Sequence, residues 1–308
     1  MPATIRIAPE PPHGASRTGQ YRNPSHSASR TLVGAVFISI ATAAVAAEDR
    51  SDGAIDRPND WPREHKTLAL NATIVGAVTL YGFTLWDWGG AQFSARNEGW
   101  FGRDTRHGGA DKLGHAYTGS VATALSAALY RHWGYDEAHA ARLGVFSGLL
   151  LTTAVELGDG FSPDHKFSWE DQVSNMAGVG FEYLRLRHPW LRDRVHFRWE
   201  YFPSPAVRHG RHNDITTDYS GSRWLLAFPL RTWGFGDSRL RWIELQVGYG
   251  TRGFARRDRD FFDEARRHPF VGVGIHIPLV LESFGVGAAP RRVFEHLQIP
   301  GTALPLPP

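Results

Sequence analysis

The chain has 308 residues, 42% of them apolar, with a mean hydropathy of −0.32, enough for one large domain or two smaller ones and unlike a disordered or uniformly membrane-embedded chain. Its +3 formal charge comes from 34 basic and 31 acidic residues spread along the sequence, so the pI near 9.3 describes no basic stripe and excludes nucleic acid as the main ligand. Cysteine is absent, which excludes disulfides, thiolate metal sites, a cysteine nucleophile and a lipidated N-terminal cysteine, and leaves His, Asp, Glu and water to hold any metal.

Residues 1–30 are rich in Pro, Ser, Arg and His without apolar periodicity, and an uncharged run follows from Thr31 to Ala47. A basic region, a short apolar region and the small residues Val45-Ala46-Ala47 before Glu48-Asp49 form the pattern of an export signal over 1–47, with cleavage after Ala47 expected and a retained anchor as the alternative. Residues 48–63 read as a polar linker. From Thr67 to Trp86 no charge interrupts the chain, a run long enough to cross a bilayer but diluted by Asn71, four threonines and two glycines. Further helices are expected over Leu113–Tyr130, with Gly134 as a stop, over Glu137–Leu157 with Asp136 as N-cap, and from Ser168 to near Leu186, ahead of Pro189. Together they predict a helical domain at 64–190, a bundle of about four helices.

Beyond Pro189 the period changes to two. Phe197, Trp199 and Tyr201 alternate with Arg198 and Glu200; Ile243 to Tyr249 and Val271 to Leu279 alternate in the same way, the last with Gly272 and Gly274 on the opposite face. About five candidate strands over 191–288 are too few for an eight-stranded barrel. The expected fold is therefore α+β, the bundle packed with a small open antiparallel sheet. Aliphatic faces opposite glycine resemble those of outer-membrane strands. Residues 253–268 read as an exposed hairpin loop, and 289–308 as a poorly ordered Pro-rich tail.

Three polar clusters interrupt the apolar helices: Asp111-Lys112-Leu113-Gly114-His115, Glu156-Leu157-Gly158-Asp159-Gly160, and Ser168-Trp169-Glu170-Asp171 followed by Asn175 and Gly178. Ionisable groups inside apolar helices cost free energy unless paired, hydrogen-bonded or metal-bound, so the clusters are expected to meet. Asp111 and His115 share one helix face, as do Asp171 and Asn175, and a carboxylate beside an imidazole fixes a tautomer for proton transfer or metal binding. Plainer readings compete. Asp111 can cap its helix, and Ser168-x-x-Asp171 is close to a capping box. Only Lys66, Lys112 and Lys166 are lysines, and two of them adjoin the clusters. His115, Asp111, Glu156 and Asp171 are the candidate catalytic residues and the candidate ligands of a divalent metal; Lys112, Asp159, Ser168 and Asn175 are candidates for the surrounding network or a bound ligand. Metalloprotease, phosphate-loop and nucleophile-elbow motifs are missing.

The set Asp-Lys-x-x-His, Glu-x-x-Asp-Gly and Ser-x-x-Asp-x-x-x-Asn-x-x-Gly resembles the YfiM-like family of predicted periplasmic or outer-membrane lipoproteins over roughly residues 64–285, and more distantly the VanZ-like membrane proteins. The first resemblance implies an envelope location and confers no established activity; without cysteine, membrane attachment would come from the chain's own apolar surface or be absent. Three functions follow as expectations. The first is an exported, outer-membrane-associated protein whose polar network serves a binding or organising role toward a membrane lipid or envelope component. The second is a metal-dependent or acid/base hydrolase or transferase acting on a lipid or cell-wall headgroup, and the third an inner-membrane bundle like the VanZ-like proteins. The sequence sets no oligomeric state.

Overall fold

A computed structural model describes residues 61–306, so the expected export segment and nearly all of the linker lie outside the described residues. Four long helices form the N-terminal part: α1 (Arg63–Leu85), α2 (Ala110–His132), α3 (Glu137–Asp159) and α4 (Trp169–Arg187). Their ends follow the local chemistry. The Asp136 side chain accepts from the His139 amide to start α3, Ser168 accepts from the Asp171 amide to start α4, and Gly134 takes a left-handed conformation after α2. α2 is entered through Gly109 at φ 88°, with no side-chain cap, so Asp111 is left free for other contacts.

α2 lies between α3 and α4, and α1 packs on α3. Small residues make these contacts: Gly119, Ser120 and Thr123 of α2 face Gly144 and Gly148 of α3 and Val179 of α4. The tightest approach is at Gly178, where an added Cβ would sit 1.7 Å from the Ala116 carbonyl oxygen of α2. A buried polar triangle of Asn71, Tyr130 and Ser147, with links of 2.7 to 2.9 Å, ties α1, α2 and α3 together. Large apolar side chains point outward instead, among them Leu68, Leu80 and Phe83 of α1, Phe146 of α3 and Met176 of α4. By length and composition alone, α1 and α3 could cross a membrane; 22% and 44% of their apolar windows are buried inside the molecule.

After α5 (Pro189–Arg192) the chain enters the sheet: β1 (His196–Tyr201), a short α6 (Pro205–Arg208), β2 (Ser222–Pro229), β3 (Ile243–Arg252) and β4 (Arg266–Ile275). Then follow α7 (Ile277–Ser283), α8 (Ala288–His296), β5 (Leu297–Gln298) and β6 (Ala303–Pro305). The strand order is β5-β1-β2-β3-β4-β6. Helical bundle and C-terminal sheet give the α+β fold expected, with three corrections. The sheet is mixed, since β5 runs parallel to β1. The third alternating segment ends at Ile275, and Pro278 opens a helix because its ring fixes φ and removes a ladder donor. The Pro-rich tail is built into the fold through residue 306: α8 packs on β1, and β5 and β6 pair with β1 and β4.

β5 and β6 occupy opposite edges of the sheet yet are separated by only Ile299–Thr302, whose stretched length of roughly 17 Å limits the distance between those edges. The sheet therefore curls toward closure. Its inner face combines an apolar cluster of Leu225, Ala227, Ala303 and Phe270 with a polar network: Arg198 donates to Glu244 and to Gln298 (2.8 Å), Gln246 donates to Glu244 (2.7 Å), and His276 contacts the other Glu244 oxygen at 3.1 Å. On the outer face, the β1–β2 end meets the bundle through Phe197 and Trp224 packed on Ala110, Leu113 and Tyr117.

Candidate functional site

The polar residues gather at one end of the bundle, where α2 and α4 begin and α3 finishes. A loop completes this end: Ala95 bridges to Phe167, and the Arg96 amide donates to the Phe167 carbonyl at 2.8 Å, which lays Glu98 beside the first turn of α2. Lys112, only 2% exposed, is surrounded by carboxylates, its Nζ lying 2.7 Å from Asp171, 2.9 Å from Asp111 and 3.0 Å from Glu98. One turn along α2, His115 Nδ1 lies 3.1 Å from Glu156 and 3.3 Å from the Asn175 carbonyl oxygen, while Nε2 is 3.7 Å from Asp171 Oδ1. Asn175 Nδ2 also reaches Glu156, at 3.4 Å. Asp171 thus stands between the lysine and the histidine.

Burial and neighbouring charge set the protonation states. Burial works against both cations, but the surrounding carboxylates outweigh it. Asp171, Glu156 and Asp111 push the His115 imidazole up to about 9, and Asp111 and Asp171 hold the Lys112 ammonium above its ordinary range. Burial pushes Glu156 up to about 8, against the opposing pull of His115, and raises Asp111 to about 6 even though Lys112 is adjacent. Glu98 goes the other way: burial is outweighed by Lys112 and Arg96, which lower it to about 2. Four cations, Lys112, His115, Arg96 and Arg106 (4.0 Å from Glu98), face four carboxylates, Glu98, Asp111, Glu156 and Asp171. The cluster neutralises itself.

Of the eight residues singled out by sequence, Asp111, Lys112, His115, Glu156, Asp171 and Asn175 come together. Ser168 supports them indirectly as the cap of α4, accepting from the Asp171 amide at 3.2 Å. Asp159 turns aside and accepts from the Trp88 indole at 2.8 Å, with His165 3.9 Å away. Sequence reading missed Glu98 and Arg96, which lie in a loop without periodicity; the available signal was that a buried lysine needs more than one counter-charge. It also left Glu170 unassigned. That side chain is fully buried, accepting from the Gly99 amide (3.0 Å) and from Ser168 (3.1 Å), and so fastens the Glu98 loop to α4.

One atom each from His115, Glu156 and Asp171, or from Glu98, Asp111 and Asp171, lie within 4.8 Å of one another, so either trio could hold a metal ion. For the second trio the cation already present is the Lys112 ammonium.

Residues 97–187 match a family described as predicted periplasmic lipoproteins (DUF2279). The matched stretch runs from the Glu98 loop to the end of α4 and contains the whole cluster except Arg96. That description agrees with the cell-envelope, periplasmic location expected from the sequence, while the 308 residues contain no cysteine to carry a lipid. No curated protein and no solved structure matches the chain.

Proposed function

We propose that this chain is a membrane-associated binding or organising protein of the cell envelope, with a membrane lipid or envelope component as partner, and that its polar cluster is the internal clamp that holds the bundle end together. The observation that carries this reading is the charge balance: Lys112, His115, Arg96 and Arg106 already satisfy Glu98, Asp111, Glu156 and Asp171, so nothing further is needed to make burial of the carboxylates tolerable. Residues meeting from α2, α3, α4 and the 95–98 loop join four segments that are otherwise packed through small side chains. The experiment is metal analysis of the purified chain with melting curves in chelator and in added Mg²⁺ or Zn²⁺. Less than 0.1 equivalents (roughly) of bound metal and an unchanged melting midpoint are expected; stoichiometric metal, or a midpoint that falls in chelator, would overturn the reading.

A second reading is favoured by one feature. Asp171 Oδ1 is buried and accepts no well-directed hydrogen bond, and it lies near His115 Nε2 and Lys112 Nζ. In a metal-dependent or acid/base hydrolase or transferase acting on a lipid or cell-wall headgroup, that oxygen would be a ligand or base, and His115, Glu156 and Asp111 would complete the set. The same metal analysis separates the metal-dependent form of this reading from the first.

A further inference from the structure

We propose that the aliphatic outer face of the curled sheet is a bilayer-docking surface that enters one leaflet of a membrane bearing anionic headgroups; the inference rests on the membrane-associated reading above and names its surface. The strand register assembles the face. Val247 lies opposite Val271, Leu245 opposite Val273, Ile243 opposite Ile275, and Val273 opposite Leu304. Leu245 is 45% exposed, Val247 50%, Val271 55%, Ile275 47% and Leu304 59%, a contiguous apolar patch where a water-facing sheet carries polar side chains. The polar side chains of β1 and β3 are instead on the inner face, where Arg198 and Gln246 both donate to Glu244. An aliphatic face outside and a partly polar face within, beside the buried Leu225, Ala227 and Ala303, suit an apolar surrounding.

Dimensions and charge identify the occupant. From Ile243 to Val247 the patch is roughly 13 Å long, and from β3 to β6 it is roughly 10 Å wide, against about 30 Å for a hydrocarbon core, so it suits insertion into one leaflet and is too short to span. Exposed arginines stand at both strand ends: Arg239 and Arg241 before β3, with Arg241 stacked 4.9 Å over Trp242, and, at the start of β4, Arg267, which lies opposite Thr251 on the same face as Val247 and Val271 and donates to the Phe101 carbonyl. Such a rim places cations and an indole at headgroup level around an apolar centre. Both sheet edges are taken by β5 and β6, which leaves no long edge for a partner strand to extend.

The test is flotation of the full chain with vesicles of phosphatidylcholine, with or without phosphatidylglycerol. Wild type should float with the anionic vesicles and less with the zwitterionic ones. Val247→Ser with Val271→Ser should lower the bound fraction at least about tenfold on both, while Arg241→Gln with Arg267→Gln should remove mainly the anionic preference. Circular dichroism confirms folding; if the serine pair melts early, Leu304→Ser is read in its place. A wild type that floats equally with the serine pair would overturn this surface while leaving membrane association intact, and a wild type that floats with no vesicle would overturn both. A wild-type dimer in light scattering that the serine pair converts to monomer would assign the face to a second copy of the chain instead.

Discussion

His115 is the residue at which structure and proton chemistry are most closely linked. Its folded pKa, about 9, lies above the ordinary 6.5, so the stability it contributes is complete below about pH 6.5 and is lost as pH rises through 9. Glu156, raised to about 8, adds to the same fall between about 4.5 and 8, whereas Glu98, lowered to about 2, loses its contribution only in acid. The melting midpoint should therefore decline from pH 6.5 to 9.5, and Glu156→Gln, which removes one of the titrations, should flatten the decline; a midpoint insensitive to pH in the wild type would contradict this assignment. His115→Ala should cost about 1 to 3 kcal/mol at neutral pH by urea unfolding, the penalty of leaving buried Asp171 with Lys112 alone and Glu156 with Asn175 alone. At this scale the sequence disclosed the ionisable residues on periodic helices, because charge inside an apolar run is conspicuous. It concealed Glu98 and Arg96, which are brought in by a bridge between residues 95 and 167 that no local pattern encodes.

Helix contacts in this bundle are set by what is absent from the interface. Gly178 lets α4 touch the backbone of α2 at Ala116, and an alanine there would place its methyl inside the carbonyl's contact distance. Because the obstructing atom is backbone, relief requires moving a helix, and Gly178→Ala should destabilise by about 1 to 3 kcal/mol in urea unfolding, whereas the same change at Gly180, which has no neighbour within 4 Å, should be neutral or stabilising. Equal effects at the two positions would show that close approach is not what Gly178 provides. The four helices and their caps were legible because uncharged runs, Gly134, Asp136 and Ser168 are local signals. The end of β4 was less so. Alternation continues through Ile277 and Leu279, and only the proline at 278 distinguishes a strand from the helix that replaces it.

For the molecule as a whole, two devices hold distant parts of the chain together: the tail that supplies both sheet edges, and the charged clamp at the bundle end. The tail's role was hidden from the sequence, since Pro-rich composition reads as loose chain while two- and three-residue edge strands carry no periodicity. A chain ending at His296 should lose both edges and the Gln298 partner of Arg198, and elute from size exclusion as aggregate; a monodisperse product with wild-type melting would show the tail to be dispensable. Lys112→Met probes the clamp at its centre. Removing the ammonium leaves Glu98, Asp111 and Asp171 buried together without their shared cation, so urea unfolding should show a loss of about 3 to 5 kcal/mol with a largely unchanged m-value. Unchanged or increased stability would mean that these carboxylates are gathered for chemistry and do not serve as a clamp.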